Sequence, residues 1–136
     1  MKKKNELLNY NKNIYNSNYG VTELKYKDFI IKNKKVFVKK DIYKDNHGFI
    51  IFYAPWCKHC KELAPKIIDL AISNLNIFYF GAVNIEDIYN DNHKLSHILD
   101  VKKIPTIYKL NKNGQLIKYE YEYSYENLNY YITMNT

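Results

Sequence analysis

The sequence predicts an α/β fold with a central mixed β-sheet flanked by helices on both faces. Residues 49–53 and 77–83 are unalternated apolar runs of strand length, typical of parallel strands buried on both faces. Between them, residues 58–74 place apolar side chains at helical spacing, so the three segments predict a right-handed βαβ unit. Residues 106–110 and 115–121 flank a turn rich in Asn and Gly, and they predict an antiparallel hairpin that makes the sheet mixed.

The N-terminal part of the chain carries weaker signals. Residues 1–20 are rich in lysine and asparagine without periodicity, which predicts a flexible polar arm. Residues 21–136 are expected to form a single domain. Within it, residues 29–31 and 36–38 are apolar and flank a polar turn, so they predict a short hairpin.

The C-terminal part of the chain completes the predicted fold. A short helix is predicted at residues 92–99. Tyr119, Tyr121 and Tyr123 alternate with acidic or polar residues, which favours a half-buried strand over a base-stacking surface, because the acids would repel phosphate. Residues 125–134 predict a closing helix. Its inward face is predicted to hold Tyr125, Leu128, Tyr131 and Ile132.

The composition limits the partners of the protein. All 21 basic residues are lysine, and the formal net charge is +7. Because no arginine is present for bidentate recognition of phosphates or bases, we expect a solvated lysine-rich surface rather than nucleic-acid binding. Only two cysteines are present, which leaves no framework of structural disulfides. We expect a monomer that needs no cofactor and binds no membrane.

The two ends of the sequence bear on the location of the protein. Lysines follow Met1, but no apolar segment of the length found in signal peptides comes after them. No stretch is long enough to span a bilayer, and no retention signal of the KDEL type ends the sequence. We therefore expect a cytoplasmic location, or packaging in a particle such as the virion of a large A/T-rich DNA virus, rather than residence in the endoplasmic reticulum.

The two cysteines lie where the predicted buried strand gives way to the predicted helix. Cys57 and Cys60 are three residues apart, so in a first helical turn they are neighbours at a distance suited to a disulfide. The unpaired N–H groups and partial positive charge of a helix N-terminus favour a thiolate at Cys57. Cys60 lies one turn further in and is expected to be less exposed. This arrangement indicates a redox pair in which Cys57 attacks and Cys60 resolves the mixed disulfide.

The segment 52–61, with the sequence FYAPWCKHCK, resembles the active site of the thioredoxin superfamily, and most closely its protein disulfide isomerase branch. Only Lys58 departs from the usual FYAPWCGHCK of that branch. Pro65 resembles the helix-kinking proline of the family, and residues 104–106 (Ile-Pro-Thr) resemble its cis-proline segment. The resemblance implies the thioredoxin fold. It also implies a thiol–disulfide oxidoreductase that acts on protein dithiols or disulfides and exchanges electrons with an unidentified redox partner.

The resemblance further implies a substrate-binding surface beside the cysteines. Trp56 would form part of that surface. Pro105, in the cis form, would lie opposite the cysteines. Ile104 would then offer its backbone groups to an extended substrate peptide, as in strand addition at the edge of a sheet.

Lys58 and His59 lie between the two cysteines and can both carry positive charge. Positive charges there favour the thiolate of Cys57. A stabilised thiolate makes the disulfide a better oxidant. We therefore expect a redox potential nearer the isomerase value of about −180 mV than the thioredoxin value of about −270 mV.

Two positions depart from the family pattern. Family members usually carry a buried acid six residues before the first cysteine, where this chain has Ile51. The lysine that accompanies this acid in thioredoxins corresponds to Ala82. The mobile arginine of isomerases has no counterpart, since the chain has no arginine. These losses leave the proton of the resolving thiol to water or His59, which predicts slow turnover.

Two other functions remain open at this point. A thioredoxin-fold binding module or chaperone with little turnover would need neither the acid nor the arginine. A zinc site is the other alternative, because Cys57, Cys60, His93 and His97 supply suitable ligand types. The spacing argues against zinc, since most of a βαβ unit separates the two pairs, whereas zinc fingers separate them by about 12–15 residues. We therefore expect no metal.

Overall fold

A computed structural model describes residues 13–136. In this range the chain forms seven strands: β1 (Thr22–Glu23), β2 (Phe29–Lys32), β3 (Lys35–Val38), β4 (Gly48–Tyr53), β5 (Tyr79–Asn84), β6 (Thr106–Leu110) and β7 (Leu116–Lys118). The α-helices of the same range are α1 (Lys40–Tyr43), α2 (Lys58–Ser73), α3 (Asn92–Ile98) and α4 (Tyr125–Met134). None of these helices is long and apolar enough to cross a bilayer.

Five of the strands form one mixed sheet with the order β1-β5-β4-β6-β7. Strands β4 and β5 pair in parallel, and α2 connects them, which confirms the predicted βαβ unit. Strand β1 adds to β5 in parallel, whereas β6 pairs antiparallel with β4 and β7 antiparallel with β6. All six residues of β4 are buried, as expected for a central strand covered on both faces.

Two apolar clusters cover the two faces of this sheet. On one face, alternate residues of β4 pack with apolar residues of α2 and α4, including Ile67, Leu128 and Ile132. On the other face, the remaining β4 side chains pack with Leu95 of α3 and with the β2–β3 hairpin. This alternation follows from the two-residue period of a strand. It confirms the prediction of helices on both faces.

The predicted hairpin at residues 29–31 and 36–38 is confirmed as β2 and β3. Phe29 pairs with Val38, and both side chains are buried against the second face of the sheet. Asn33 and Lys34 connect the strands with positive φ angles of 53° and 65°. Two consecutive left-handed residues are what a two-residue turn needs to match the twist of its strands.

Part of the segment before β1 packs against the sheet. The predicted flexible arm covered residues 1–20, of which 1–12 lie outside the described residues. Tyr15 is 2% exposed, and its ring packs edge-on against that of Tyr53, with the centroids 5.4 Å apart. The backbone N–H of Ile14 donates to the Tyr53 hydroxyl at 3.1 Å. Ile14 and Tyr15 therefore contribute to the core.

The C-terminal part differs from prediction in two details. Strand β7 ends at Lys118 rather than at residue 121. In a longer β7 the N–H of Ile107 would have donated to the carbonyl of Tyr119. It donates instead to the hydroxyl of Tyr123, and the strand pairing stops there. Helix α4 buries Leu128 and Ile132 as predicted. Tyr125, which was predicted to face inward, is 42% exposed because it begins the helix at the surface.

Candidate active site

The two cysteines lie at the start of α2, directly after the central strand β4. Cys57 is the residue that caps α2, and its backbone N–H donates to the carbonyl of Ala54 at 3.1 Å. Its Sγ accepts the backbone N–H of Cys60 at 3.3 Å. This contact satisfies one of the N–H groups that a helix N-terminus leaves free, and it favours negative charge on the Cys57 sulfur.

The cysteine pair is nearly closed off from solvent. Cys57 is 6% exposed and Cys60 is 1% exposed, and both are free thiols. Burial, and to a smaller extent the hydrogen bond with the Cys57 sulfur, raise the pKa of the Cys60 thiol to about 12. Cys60 is thus difficult to ionise without a group that accepts its proton.

A second loop meets the cysteines from the start of β6. The Ile104–Pro105 peptide bond is cis. The carbonyl oxygen of Ile104 lies 3.8 Å from the Sγ of Cys57, within reach of a weak hydrogen bond from the thiol. The structure therefore brings Ile104 and Pro105 to the cysteine pair, although they are more than 40 residues away in the chain.

Three site residues predicted from the sequence lie at the surface beside this pair. Trp56 is 49% exposed, and Lys58 is also exposed. The side chain of His59 is largely in solvent, with its Nδ1 3.4 Å from a carboxylate oxygen of Glu62. Charges in such positions are screened by water and salt, so their influence on a neighbouring sulfur is modest.

A row of paired residues crosses β4, β5 and β1. It shows at which position a buried acid is missing and at which another acid is present. Ile51 of β4 pairs with Ala82 of β5, so the two positions that usually carry acid and lysine are neighbours and are both fully buried. Ala82 also pairs with Glu23 of β1. Because parallel strands in register point paired side chains to the same face, Glu23 continues this row two strands away from Ile51.

Glu23 is held by hydrogen bonds and was missed by sequence reasoning. Its carboxylate accepts the hydroxyl of Tyr53 at 2.5 Å and the backbone N–H of Tyr15 at 3.2 Å. Burial raises the pKa of Glu23 to about 7, whereas the hydrogen bonds from Tyr53 and Tyr15 oppose that rise. The only sequence signal for this site was the absence of an acid at position 51.

Polar groups of residues 13–15, the segment before β1, cover the part of the site around Glu23. The Nδ2 of Asn84 donates to the Oδ1 of Asn13 at 3.0 Å, which ties the segment to the end of β5. The hydroxyl of Tyr15 is buried and has no hydrogen-bond partner among the described residues. Tyr15 also belongs to the same apolar cluster as both cysteines.

The candidate zinc ligands have no support in the described part of the chain. Within residues 13–136, no group of three or more His, Cys, Asp or Glu side chains is arranged to hold a metal ion. His93 and His97 are exposed on α3, where a surface position explains them without a ligand.

Comparisons with known proteins agree with this geometry. The family model for Thioredoxin matches residues 26–134. The chain is 34% identical over 80 residues to a protein disulfide-isomerase from Datisca glomerata, a match that covers 58% of the chain and 15% of that protein. It is 38% identical over 69 residues to protein disulfide isomerase-like 1-1 of Arabidopsis thaliana, covering 51% of the chain and 13% of that protein. The matches therefore span less than a sixth of the length of these curated relatives.

A solved structure with a similar backbone is the short form of thioredoxin F from spinach chloroplast. It superposes with a TM-score of 0.64 at 21% identity, covering 85% of this chain and 93% of that chain. Agreement at this level of identity concerns the fold. The predicted thioredoxin fold is confirmed.

Proposed function

The chain belongs to the thioredoxin family, and we propose that it exchanges disulfides with protein substrates through Cys57 and Cys60. Cys57 is the nucleophile, because its sulfur lies at the N-terminus of α2 and accepts an N–H group there. Cys60 is the resolving thiol, since it is buried next to Cys57 and its raised pKa keeps it protonated until it is needed. The observation that carries the proposal is this asymmetric pair at the start of a helix.

The residues around the pair then have supporting roles. The half-exposed ring of Trp56 offers an apolar contact beside Cys57. Ile104, whose carbonyl lies 3.8 Å from the Cys57 sulfur, offers backbone groups to an extended substrate, and the cis peptide bond to Pro105 gives this loop its shape. Lys58 adds positive charge that favours the Cys57 thiolate, and His59 can add to it when its ring is protonated.

The experiment that tests the proposal is capture of a mixed disulfide. In a Cys60→Ser variant the resolving step cannot occur, so Cys57 is expected to remain bonded to a synthetic peptide that contains one disulfide. Non-reducing electrophoresis and mass measurement detect this adduct. The Cys57→Ser variant is the matched control and should form none, because Cys60 is only 1% exposed. Equal adduct formation by the two variants would contradict the assignment of roles.

A binding module with little turnover is the second candidate, and one observation favours it. Burial raises the pKa of Cys60 to about 12, and position 51 offers no acid to take its proton. If no other group accepts that proton, mixed disulfides at Cys57 resolve slowly and the protein holds its partners. Equilibration of the reduced protein with oxidised and reduced glutathione decides between the two: an intramolecular Cys57–Cys60 disulfide supports the oxidoreductase, whereas glutathione bound to Cys57 supports the binding module.

A further inference from the structure

Strand β2 has one paired side and one open side. It pairs with β3, and within residues 13–136 no strand lies against its other side. An open strand edge presents unpaired N–H and C=O groups, which can pair with another extended chain. Two residues of β2, Ile30 and Ile31, are 48% and 36% exposed. The open side of β2 is therefore accessible to a partner.

The register of the hairpin identifies the backbone groups on this open edge. Opposed residues of an antiparallel pair alternately exchange hydrogen bonds and direct their backbone groups away from each other. The two-residue turn closes on Lys32 and Lys35, which by this rule form a hydrogen-bonded pair. Phe29 and Ile31 therefore direct their backbone groups away from β3. The N–H of Phe29 accordingly donates to the carbonyl of Tyr26, outside the hairpin. The open edge consists of the N–H and C=O of Ile31 and the C=O of Phe29.

The two faces of the hairpin differ in chemistry. Alternation along β2 puts Phe29 and Ile31 on one face, and Phe29 packs there against the sheet. The opposite face, called the outer face here, carries Lys32 and, directly across on β3, Lys35. Like charges directly opposite each other destabilise a strand pair. Neither lysine forms a salt bridge with a described residue. A negative charge beside them would offset this repulsion.

Lysines surround the open edge. Residues 27–40 contain six lysines, all exposed, and one aspartate. Lysines on an edge strand oppose pairing between copies of one protein, because two such edges repel each other. The same charges attract an acidic strand, so they favour a partner of the opposite sign over a second copy of this chain.

We propose that the open edge of β2 binds an acidic extended segment of a partner protein by strand addition. The segment pairs its backbone with Ile31 and Phe29. Its acidic side chains lie on the outer face beside Lys32, and its apolar side chains lie beside Ile31 on the face that packs against the sheet.

This edge is separate from the cysteine pair. The hairpin packs in the apolar cluster on the face covered by α3, whereas both cysteines belong to the cluster on the other face. A partner bound at β2 is therefore expected to leave the surface around Cys57 uncovered. The proposal does not depend on the exchange reaction.

The probe for this site is a short synthetic peptide of alternating glutamate and valine with blocked ends. It is titrated into ¹⁵N-labelled reduced protein at low salt, because salt screens exposed charges. The largest NMR shifts are expected at Ile31, and hydrogen exchange of its amide should slow by about 10-fold or more at saturation. The amide of Ile30, which β3 already pairs, should change little. Unchanged exchange of Ile31 would overturn the proposal.

Two further probes separate strand pairing from charge alone. The same peptide with a methyl group on every backbone nitrogen keeps its charges but cannot donate hydrogen bonds, so the Ile31 amide should remain unprotected. Oligothymidylate carries negative charge without a peptide backbone, and it should leave this amide unprotected as well. Slowed exchange of Ile31 with the methylated peptide would overturn strand addition. Tighter binding of the oligonucleotide than of the peptide would assign the lysines to nucleic-acid binding instead.

Charge reversal on the outer face tests the role of the lysines. Lys32→Glu combined with Lys35→Glu keeps two like charges opposite each other, so the stability of the hairpin should match that of the wild type. This variant should bind the glutamate peptide at least about 5-fold more weakly and should prefer an otherwise identical lysine–valine peptide. Lys61→Glu combined with Lys66→Glu, at exposed positions of α2, changes the net charge equally and should keep the preference of the wild type. Equal weakening in both double variants would overturn the site.

The variant Ile31→Pro tests the backbone edge directly. It removes the N–H on the open side and leaves the hydrogen bonds between β2 and β3 in place, since proline is tolerated where the N–H of an edge strand faces solvent. Binding of the glutamate peptide should be lost, and retained binding would contradict the proposal. The methylated peptide, used with the unaltered protein, covers the case in which this variant does not fold.

Two measurements on the unaltered protein identify other occupants and sites. Sedimentation of the free protein should show a monomer, and self-association that Ile31→Pro abolishes would assign the edge to a second copy. The rate of Cys57 alkylation should be the same with and without saturating glutamate peptide. A slower rate would place the peptide at the cysteine pair and overturn the proposal, whereas peptide binding without any disulfide exchange would overturn only the exchange reaction.

Discussion

At the scale of single residues, Glu23 couples the site to the stability of the fold. Its pKa is about 7 in the folded protein and about 4.5 in the unfolded chain, so the folded state holds the extra proton between these values. Stability from this group is fully present below pH 4.5 and is lost as pH rises through 7. In the Glu23→Gln variant this loss is absent. Between pH 4 and pH 8 the wild type should therefore lose up to about 3 kcal/mol of unfolding free energy relative to the variant.

Urea unfolding of both proteins at pH 4, 6 and 8 measures this difference. Glu120→Gln serves as the control, because its exposed carboxylate should leave the pH dependence of the wild type unchanged. A difference between wild type and Glu23→Gln that stays constant with pH would mean that the Glu23 carboxylate titrates alike in the folded and unfolded states.

Lys58, the position where the chain departs from the usual isomerase motif, is expected to affect the redox potential rather than stability. Replacing it with glutamine removes a positive charge one residue after Cys57, which makes the thiolate form less favourable and the disulfide harder to reduce. The potential should fall by about 5–20 mV, because an exposed charge interaction is worth about 0.2–1 kcal/mol and 30 mV correspond to about 1.4 kcal/mol. Equilibration with glutathione at low salt measures the shift.

The matched control for this variant is Lys66→Gln, which removes another exposed lysine more than two turns further along α2. It should leave the potential within a few mV of the wild type, because water and salt screen a charge at that distance. Equal shifts in both variants would assign the effect to net charge and not to the place of Lys58 beside Cys57.

At the scale of elements, one buried amide supports the attachment of β1 to the sheet. Asn92, at the start of α3, is 1% exposed; its Oδ1 accepts the N–H of Tyr26 at 3.0 Å, and its Nδ2 donates to the carbonyls of Leu24 and Asn84. Asn92→Ala leaves these backbone groups without partners. The unfolding free energy should fall by about 2–4 kcal/mol, since each unsatisfied buried group costs about 1–3 kcal/mol.

Chemical denaturation measures the effect of this variant. Asn129→Ala, at an exposed position of α4, is the comparison and should change the unfolding free energy by less than about 0.5 kcal/mol. A similarly small change in Asn92→Ala would mean that water replaces the amide and that the pairings with β5 and the hydrogen bond between Glu23 and Tyr53 suffice to hold β1.

The elements that could be predicted are those that carry their own pattern. Strands β4 and β5 and helix α2 each have enough apolar residues at the proper period to be recognised from local sequence. Strand β1 has only two residues, and its place is decided by pairing with β5 and by Asn92, both distant in sequence. Local patterns contain no information on such contacts.

The same distinction separates the parts of the site. The cysteines and the residues between them could be predicted because they share one turn of the chain, and Pro105 because a specific motif marks it. Tyr15 joins the apolar cluster of the cysteines, and Glu23 joins the row of Ile51 and Ala82, only through sheet pairing and the packing of a segment whose sequence predicts a polar arm. The strand predicted through the tyrosines after β7 does not form, because the hydroxyl of Tyr123 accepts the backbone N–H of Ile107 in place of a strand carbonyl.

At the scale of the whole molecule, the two faces of the sheet differ in the side chains that they carry. The face covered by α2 and α4 contains both cysteines together with Tyr15, Tyr53 and the row that ends in Glu23. The face covered by α3 and the β2–β3 hairpin is an apolar layer. Oxidation or reduction of the cysteine pair should therefore change the packing, and with it the free energy of unfolding, on the face covered by α2 and α4.

The redox state of the pair should accordingly change the stability of the whole fold. Folding and reduction of the Cys57–Cys60 pair form a thermodynamic cycle. For each 30 mV by which the potential of the pair is higher in the folded than in the unfolded protein, the reduced protein is more stable than the oxidised protein by about 1.4 kcal/mol. If the potential lies near the isomerase value, the reduced protein should unfold at a higher urea concentration than the oxidised one. Unfolding curves in reducing and oxidising buffers, read by Trp56 fluorescence, measure the difference.

The double variant Cys57→Ser, Cys60→Ser controls for the buffers, since its unfolding midpoint should be the same in both. Glutathione equilibria of the folded and of the urea-unfolded protein give the same difference in potential independently, so the two kinds of measurement have to agree in sign. A more stable oxidised protein would place the potential with the reducing thioredoxins. In that case Lys58 and His59, which are exposed to solvent, do not stabilise the thiolate enough to offset the burial of Cys57 and Cys60.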